Sequence, residues 1–329
     1  MWYTHVRLGY WSWKEDILET NRLDTGIDEW LRMYKRRSVK AATYDRLRVS
    51  FDMLRRNRIS SVMIADISTE DIQNYMNDLA DEGYAITTIK KQFTLITAYL
   101  KYEYARGRIR VPVYIGVKLP DERNVQNGSN EGMDVFSPFE QNALKRILTT
   151  LERRPYGAIF LMLELGLRSG EAQSLQWDDI LWGKKAIRIH RTFVHLSSEK
   201  GISFVQDSAK SKTSNRTVPL TNAAMDILER IRENQNTNSP YVFPSLGDPD
   251  MPISYFSVRW AMQQACKEAN VDYRSVHTLR HTFATNCYNR GCDVKILSKL
   301  LGHADVSITY NIYIHLYGDA IEEMRKVIE

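Results

Sequence analysis

The sequence predicts a mainly α-helical protein, organised as two folded units with a small antiparallel sheet in the second. Three observations carry that expectation. Apolar residues recur at steps of three and four through most of the 329 residues, three short segments near the middle alternate instead, and a polar stretch, PDERNVQNGSNEG at 120–132, interrupts both patterns. At about 150 residues per domain, the length accommodates two domains with sizeable cores. Hydrophobic residues make up 43% and charged residues 26%, and 16 Gly with 9 Pro exclude fibrous and low-complexity classes. No apolar run approaches the roughly 20 residues of a membrane span. Met1 to Tyr10 lacks the charged-then-apolar layout of a signal peptide. Cys266, Cys287 and Cys292 are too few and odd in number for a secreted disulfide scaffold, so a cytoplasmic location is expected.

Residues 1–20, with Trp2, Trp11 and Trp13, read as an extension to which no function is assigned. A helical unit is expected over 21–118. The net charge of +5 is modest, yet Arg32 to Arg58 holds ten basic residues against Asp45 and Asp52 alone. Inside that interval Tyr44, Leu47, Phe51 and Leu54 make the apolar stripe of an amphipathic helix whose other faces carry Arg46, Arg48, Arg55 and Arg56. Met63 to Ile89 contains six acidic residues and no Lys or Arg, and Ser68 followed by Asp71 marks the start of a packing helix. From Thr87, the apolar period Ile89, Phe93, Ile96, Leu100, Tyr104 runs to Gly107, a terminating residue, and Lys90, Lys91 and Lys101 make this the second basic helix. Either basic helix is explained equally by a solvated surface or by an anionic partner.

Residues 119–133 have the composition of a linker, which places the second unit at 134–329. Helical patterns at 137–151 and 156–165 open it. AIRIHRTFVHL at 186–196 alternates as one strand, ISFVQ follows a Lys-Gly turn at 200 and 201, and RTVPL at 216–220 adds a third strand. Helices resume from Asn222, and the tail GDAIEEMRKVIE places Ile321, Met324 and Ile328 at helical spacing.

Four pieces of the second unit carry chemistry-bearing residues: GLRSGEAQSLQWDDI at 166–180, AKSKTSNRTVPL at 209–220, HTLRHTFAT at 277–285 and LGHADVSITYNIYIH at 301–315. Singly, each has an ordinary structural explanation. Arg168 could pair with Glu171, His277 and Arg280 at i and i+3 could belong to a packed helix face, and Tyr313 is one of 18 tyrosines. Together and in this order they resemble the tyrosine recombinase or phage integrase family. That family's pattern is Arg, a hairpin Lys, H-x-x-R, L-G-H and Tyr, which here reads Arg168, Lys210, His277, Arg280, His303 and Tyr313. The resemblance covers the chain from about residue 134, the basic helical first unit is similar to the family's core-binding domain, and residues 1–20 are then either a plain extension or the remnant of, or linker to, an arm-binding domain.

The resemblance implies a site-specific DNA recombinase of mobile-element integrase type, acting through a 3′-phosphotyrosyl intermediate and a Holliday junction. Arg168 and Arg280 would place fixed donor forks on the nonbridging oxygens of the scissile phosphate. Tyr313 would attack, His277 would take its proton, His303 would donate to the same phosphate, and Lys210 would protonate the departing 5′ oxygen. Glu171 would orient Arg168 rather than react, because a carboxylate repels phosphate. Lys212 competes with Lys210, since Ser211 departs from the family's K-T-K spacing, and Tyr310 competes with Tyr313. Arg216 is read as structural or phosphate-contacting. No nucleotide cofactor or metal is expected, and neither a phosphate-binding Gly-rich loop nor a two-metal carboxylate set is present. Expected partners are double-stranded DNA bearing specific recombination sites, enclosed in a C-shaped clamp, three further copies of the chain joined through the tail into a tetramer, and accessory DNA-bending or directionality factors.

Two rivals follow: a type IB topoisomerase, which would use the same residues to relax supercoils, and a catalytically silent DNA-binding regulator. A separate reading takes His277, His281, Cys287 and Cys292 as zinc ligands; one continuous helix through 277–288 argues against it, because structural zinc sites close short loops.

Overall fold

The computed structural model describes residues 22–121, 135–197, 202–207, 215–235, 238–303 and 305–307. The tryptophan-bearing extension, most of the linker, the Lys-Gly turn and the tail lie outside the described residues, as do Lys210, Lys212, Tyr310 and Tyr313. The chain divides into two compact units, Met1–Ser129 with Leu196–Ile202, and Asn130–His195 with Ser203–Glu329.

In the first unit, α1 (Leu23–Trp30) runs into a π-helical turn (Leu31–Lys35). α2 (Ala41–Leu54), α3 (Thr69–Asp81) and α4 (Ile86–Ala105) follow. The apolar spacing of α2 turns Tyr44, Phe51 and Leu54 inward, and α3 buries Ile72, Tyr75, Met76 and Leu79. Ser68 and Asp71 cap α3 reciprocally, each side chain accepting from the other's backbone N–H. The face of α4 is rotated from the expected one. Phe93 is only half-buried and Tyr104 is exposed, while Gln92, Tyr99 and Glu103 point into the core. Polar side chains are tolerated there because each has a partner: Gln92 accepts from the Tyr75 hydroxyl at 3.1 Å, and Glu103 accepts from Arg108 at 3.3 Å. A correction also applies on α2. Arg46, Arg55 and Arg56 are exposed, but Arg48 is half-buried, 2.5 Å from Asp28 and lying over the Phe51 ring, so it is a packing residue and not part of the solvent-facing basic row.

The second unit is arranged around α6 (Arg154–Leu165), whose sequence RPYGAIFLMLEL is apolar on nearly every side and is buried from Pro155 to Leu163. A helix apolar all round must be enclosed. α5 (Pro138–Leu148), α8 (Asn222–Asn234), α9 (Tyr255–Glu268) and α10 (Val276–Asn289) pack against it. The one-turn helix α7 (Ser169–Gln173) follows α6 directly, and α11 (Val294–Leu301) packs on α10 through Ala284, Leu297 and Leu301. β1 (Ile180–Leu181), β2 (Ala186–Ile189) and β5 (Arg216–Pro219) form an antiparallel sheet in the order β1-β2-β5, and β3 (Arg191–His195) pairs with β4 (Ser203–Asp207). The segment 186–196, expected as a single strand, is therefore split between two sheets. Buried Asp179 accounts for the break at His190. It holds the His190 ring at 2.8 Å and the Arg191 guanidinium at 2.5 Å, turning the chain between the two pairings.

Phe51→Ala should cost the first unit about 3–5 kcal/mol in urea unfolding, the range for truncating a fully buried aromatic ring. Ser68→Ala should cost about 1 kcal/mol through the lost cap. Equal effects would contradict the core assignment of Phe51.

Candidate active site

The end of α6 sets the site. Gly166 closes the helix in the left-handed region at φ +68°, with the Phe283 ring packed where a side chain would stand, so only glycine fits. The chain reverses there and delivers Arg168 as the residue capping α7. Its backbone N–H donates to Glu171 Oε2 at 2.9 Å, and its Nη1 donates to Glu171 Oε1 at 2.8 Å. Gly170 lets α7 lie against the β3 backbone. A Cβ there would fall 2.5 Å from both the Phe193 carbonyl oxygen and Thr192 Oγ1.

From β5, Arg216 reaches the same carboxylate with a two-pronged pair, Nη1 to Oε1 and Nη2 to Oε2, both at 2.8 Å. Its Nε donates to the Leu300 carbonyl at 2.6 Å. From α10, Arg280 donates to the carbonyls of Gly166 at 2.8 Å and Leu301 at 2.6 Å. Arg168 Nη2 donates to the Gly302 carbonyl at 2.9 Å. Three guanidiniums thus grip three consecutive carbonyls at the end of α11. Those are groups that a helix terminus leaves without intrahelical partners and that carry its negative dipole end. Gly302, at φ +67°, then turns the chain to present His303 beside the cluster.

Glu171 is buried. Burial alone would raise its pKa, but the Arg216 pair and then Arg168 outweigh it and hold the carboxyl at about 2. Arg280 is also buried, and burial followed by repulsion from Arg168 pushes it down to about 9, leaving it a cation at neutral pH. Half-buried His303 is lowered to about 4 by burial and then by Arg280, Arg168 and Arg216. His277 keeps an exposed surface, yet crowding of its ring, then Arg280 and Arg168, lower it as well. Both imidazoles are therefore neutral at pH 7, each with one nitrogen able to accept and one able to donate.

The structure brings together Arg168, Glu171, His277, Arg280 and His303 from segments separated by up to 135 positions. Lys210 and Tyr313 lie outside the described residues. Arg46, Arg55, Arg56, Lys90, Lys91 and Lys101 are exposed on the first unit. Arg216, for which a structural and a phosphate-contacting reading were both open, has a side chain 7% exposed with its fork on Glu171. Sequence reasoning did not find the part played by Gly170. The spacing of glycines two residues either side of Arg168 was the available signal. Among the described residues, no three His, Cys, Asp or Glu side chains converge as a metal site, and no helix is long and apolar enough to cross a membrane.

The family model described as "Phage integrase family" matches residues 138–319, more than half of the chain. The chain belongs to the phage integrase family. Its relatives include a XerC-like tyrosine recombinase of Caldanaerobacter subterraneus subsp. tengcongensis, 29% identical over 308 residues that cover 87% of this chain and 77% of that one. A transposase from transposon Tn916 of Enterococcus faecalis is 21% identical, covering 84% of this chain and 70% of that one. Among solved structures, the Tn1549 transposon integrase in complex with transposon right end DNA superposes with a TM-score of 0.78 at 20% identity, over 94% of this chain and all of that one. A lambda integrase tetramer bound to a Holliday junction gives 0.64 at 18% identity, over 91% and 80%. The likeness to both establishes a shared fold: mainly helical, with a small antiparallel sheet.

Gly170→Ala should destabilise the second unit by about 1–3 kcal/mol, because backbone of β3 rather than a movable side-chain end must yield. Thermal unfolding checks it, and an unchanged Tm would contradict the close α7–β3 contact. A second expectation concerns pH. The unfolded chain protonates His277 and His303 near 6.5 while the folded site resists until lower pH, so protons are taken up on unfolding and stability falls as pH drops from 7 toward 4. His303→Asn should remove about 1 kcal/mol of that pH dependence, a figure reduced for the ring's partial exposure. Denaturant titrations at pH 7 and pH 5 measure it, and an equal loss of unfolding free energy between the two pH values in both proteins would contradict the assignment.

Proposed function

We propose that this protein is a site-specific DNA recombinase, the integrase of a mobile element. It cuts and rejoins DNA through a 3′-phosphotyrosyl bond and exchanges strands by way of a Holliday junction. The observation that carries this reading is the convergence of Arg168 and Arg280 beside His277 and His303. With Arg216 and Glu171 the cluster holds three guanidiniums and one carboxylate, an excess of two positive charges. A phosphodiester bears one negative charge and gathers a second as a nucleophile adds, so this excess suits the transition state better than the ground state.

In the proposed reaction Tyr313 Oη attacks phosphorus, and the neutral ring of His277 takes the phenolic proton. Arg168, Arg280 and His303 donate to the nonbridging oxygens. Lys210 passes a proton to the 5′ oxygen as the P–O bond breaks. The new ester conserves the energy of the broken one, so resealing by an incoming 5′ hydroxyl requires no nucleotide cofactor. Glu171 acts from beneath, orienting Arg168. The names of the relatives, a recombinase and a transposase, support strand exchange over supercoil relaxation, and the intact arginine–histidine set supports an active enzyme over a silent regulator. Residues 21–118 are proposed to bind the duplex through the exposed arginines and lysines of α2 and α4. Assembly of four protomers on two sites through the tail belongs to the same proposal, as does enclosure of DNA by both units.

Nicked suicide duplexes taken from the DNA flanking the gene test the chemistry. The full chain should form a covalent adduct, Tyr313→Phe should form none while still binding, and Tyr310→Phe should retain it. Arg168→Ala or Arg280→Ala should slow adduct formation about 10²- to 10³-fold, the scale of losing one preorganised donor. A chain that binds such DNA yet forms no adduct would sink the catalytic reading. DNA affinity should also fall linearly with salt on logarithmic axes as phosphate contacts are lost.

A further inference from the structure

Arg216 has the unusual position of a cation that is buried, fully engaged and not aimed at solvent. All three of its nitrogens donate: two to the oxygens of Glu171 and one to the Leu300 carbonyl. Each acceptor leads to a different part of the phosphate-facing site. Through Glu171 it reaches Arg168, which donates to the same Oε1 that Arg216 Nη1 engages. Through Leu300 it reaches the last turn of α11, two residues before Gly302, whose carbonyl fixes the other end of the Arg168 guanidinium and whose left-handed turn presents His303. We propose that Arg216 is a positioning residue for the strand-cutting reaction, setting Arg168 through the Glu171 carboxylate and the His303 turn through the Leu300 carbonyl, without touching the phosphate itself.

The chemistry explains why an arginine is needed. A carboxylate beside Arg168 is useful only if it points one way and stays charged. The planar fork of a guanidinium fixes both oxygens at once, whereas the point charge of an ammonium cannot. Three charged groups surround Glu171: Arg168 from its own turn, Arg216 from β5 and Arg280 from α10, with the imidazole of His303 standing over the same cluster from the end of α11. Removing Arg216 takes away the strongest of the attractions on Glu171 while the carboxyl stays buried. Its proton affinity then rises, and a neutral Glu171 no longer holds Arg168 by charge.

This inference rests on the proposed reaction, and the experiment separates the two. Single-turnover adduct formation by the full chain is followed from pH 5 to 9 for the wild type, Arg216→Gln, Arg216→Lys, Glu171→Gln and the Glu171→Gln, Arg216→Gln double variant. DNA affinity is measured alongside. Arg216→Gln should slow cutting about 100-fold, the effect of displacing a catalytic group by about 1 Å, with affinity changed less than threefold. Its rate should fall on the acid side more steeply, and from a higher pH, than that of the wild type, because Glu171 protonates there in addition to His277. Arg216→Lys should recover little. In the Glu171→Gln background the Arg216 substitution should cost less than tenfold, since the two act as a unit. Equal costs in both backgrounds, or a loss that is uniform across pH and tracks the folded fraction, would overturn the proposal. A readout independent of cutting accompanies these: the ¹⁵N-resolved guanidinium signals of Arg168, hydrogen-bonded and slowly exchanging in the wild type, should become fast-exchanging in Arg216→Gln. If no protein forms an adduct, the reaction assigned above fails, and this signal alone decides the role of Arg216, an unchanged Arg168 spectrum rejecting it.

Discussion

The second unit depends on one arrangement: three guanidiniums closed over the carbonyls of Leu300, Leu301 and Gly302. The last carbonyls of a helix must find donors, and here they find charged ones, each such bond contributing about 1.5–3 kcal/mol. Because the donors come from the turn after α6, from β5 and from α10, the terminus of α11 is the point at which four parts of the fold are tied together. Arg168 and Arg280 each donate one bond from Nη1 and one from Nη2, two of each guanidinium's five N–H groups, so both are fixed in place with donors left over.

Like charges do not gather without compensation. Burial does most to lower Arg280, His277 and His303, and repulsion from the neighbouring guanidiniums adds to it; the same guanidiniums, Arg216 first, hold Glu171 strongly acidic against its own burial. Glu171 relieves part of their positive field, and the helix dipole of α11 relieves some more, but one carboxylate cannot balance three guanidiniums. The residue of positive potential is held in place by packing. Gly166 against Phe283 and Gly170 against the β3 backbone remove the slack through which the cluster could open and spread its charge. Such a site is preorganised for an anion before the anion arrives, which is the condition under which electrostatic stabilisation is most effective.

Much of this fold was legible in the sequence because helices and strands announce themselves by period, and capping pairs such as Ser68 with Asp71 announce their starts. Where the structure departs from the sequence pattern, the cause is a partner that helical periodicity does not register, most often one distant in sequence. On α4, Gln92 turns inward to Tyr75, seventeen positions earlier, and Glu103 to Arg108, which lies just beyond the end of the helix. The segment 186–196 alternates without a break, and only the buried Asp179 divides it. Arg48 looked like its neighbours until Asp28, twenty positions earlier, came into contact with it. The order of the site residues was readable as a family resemblance, but their convergence was not. The contacts of Arg216 span 45 and 84 positions, and no local rule could assign them.

That distinction bears on how the charge of the molecule is to be understood. A net excess of +5 spread over 329 residues says little, and the second unit is close to neutral in sum. What matters is the setting of each cation. Arg46, Arg55, Arg56, Lys90, Lys91 and Lys101 stand in water, where screening limits each contact with an anion to a fraction of a kcal/mol and only their number gives affinity. Arg280, shielded from water and bound to two carbonyls, acts in a medium where the same charge is several times more effective. The first group can hold a polyanion anywhere along its length; the second can act on one phosphate only. Under the proposed function the chain would have to bind a long duplex loosely enough to search it, yet attack a single bond; that task calls for both settings of the same residue type, and the exposed cations of the first unit and the buried ones of the second would supply one each.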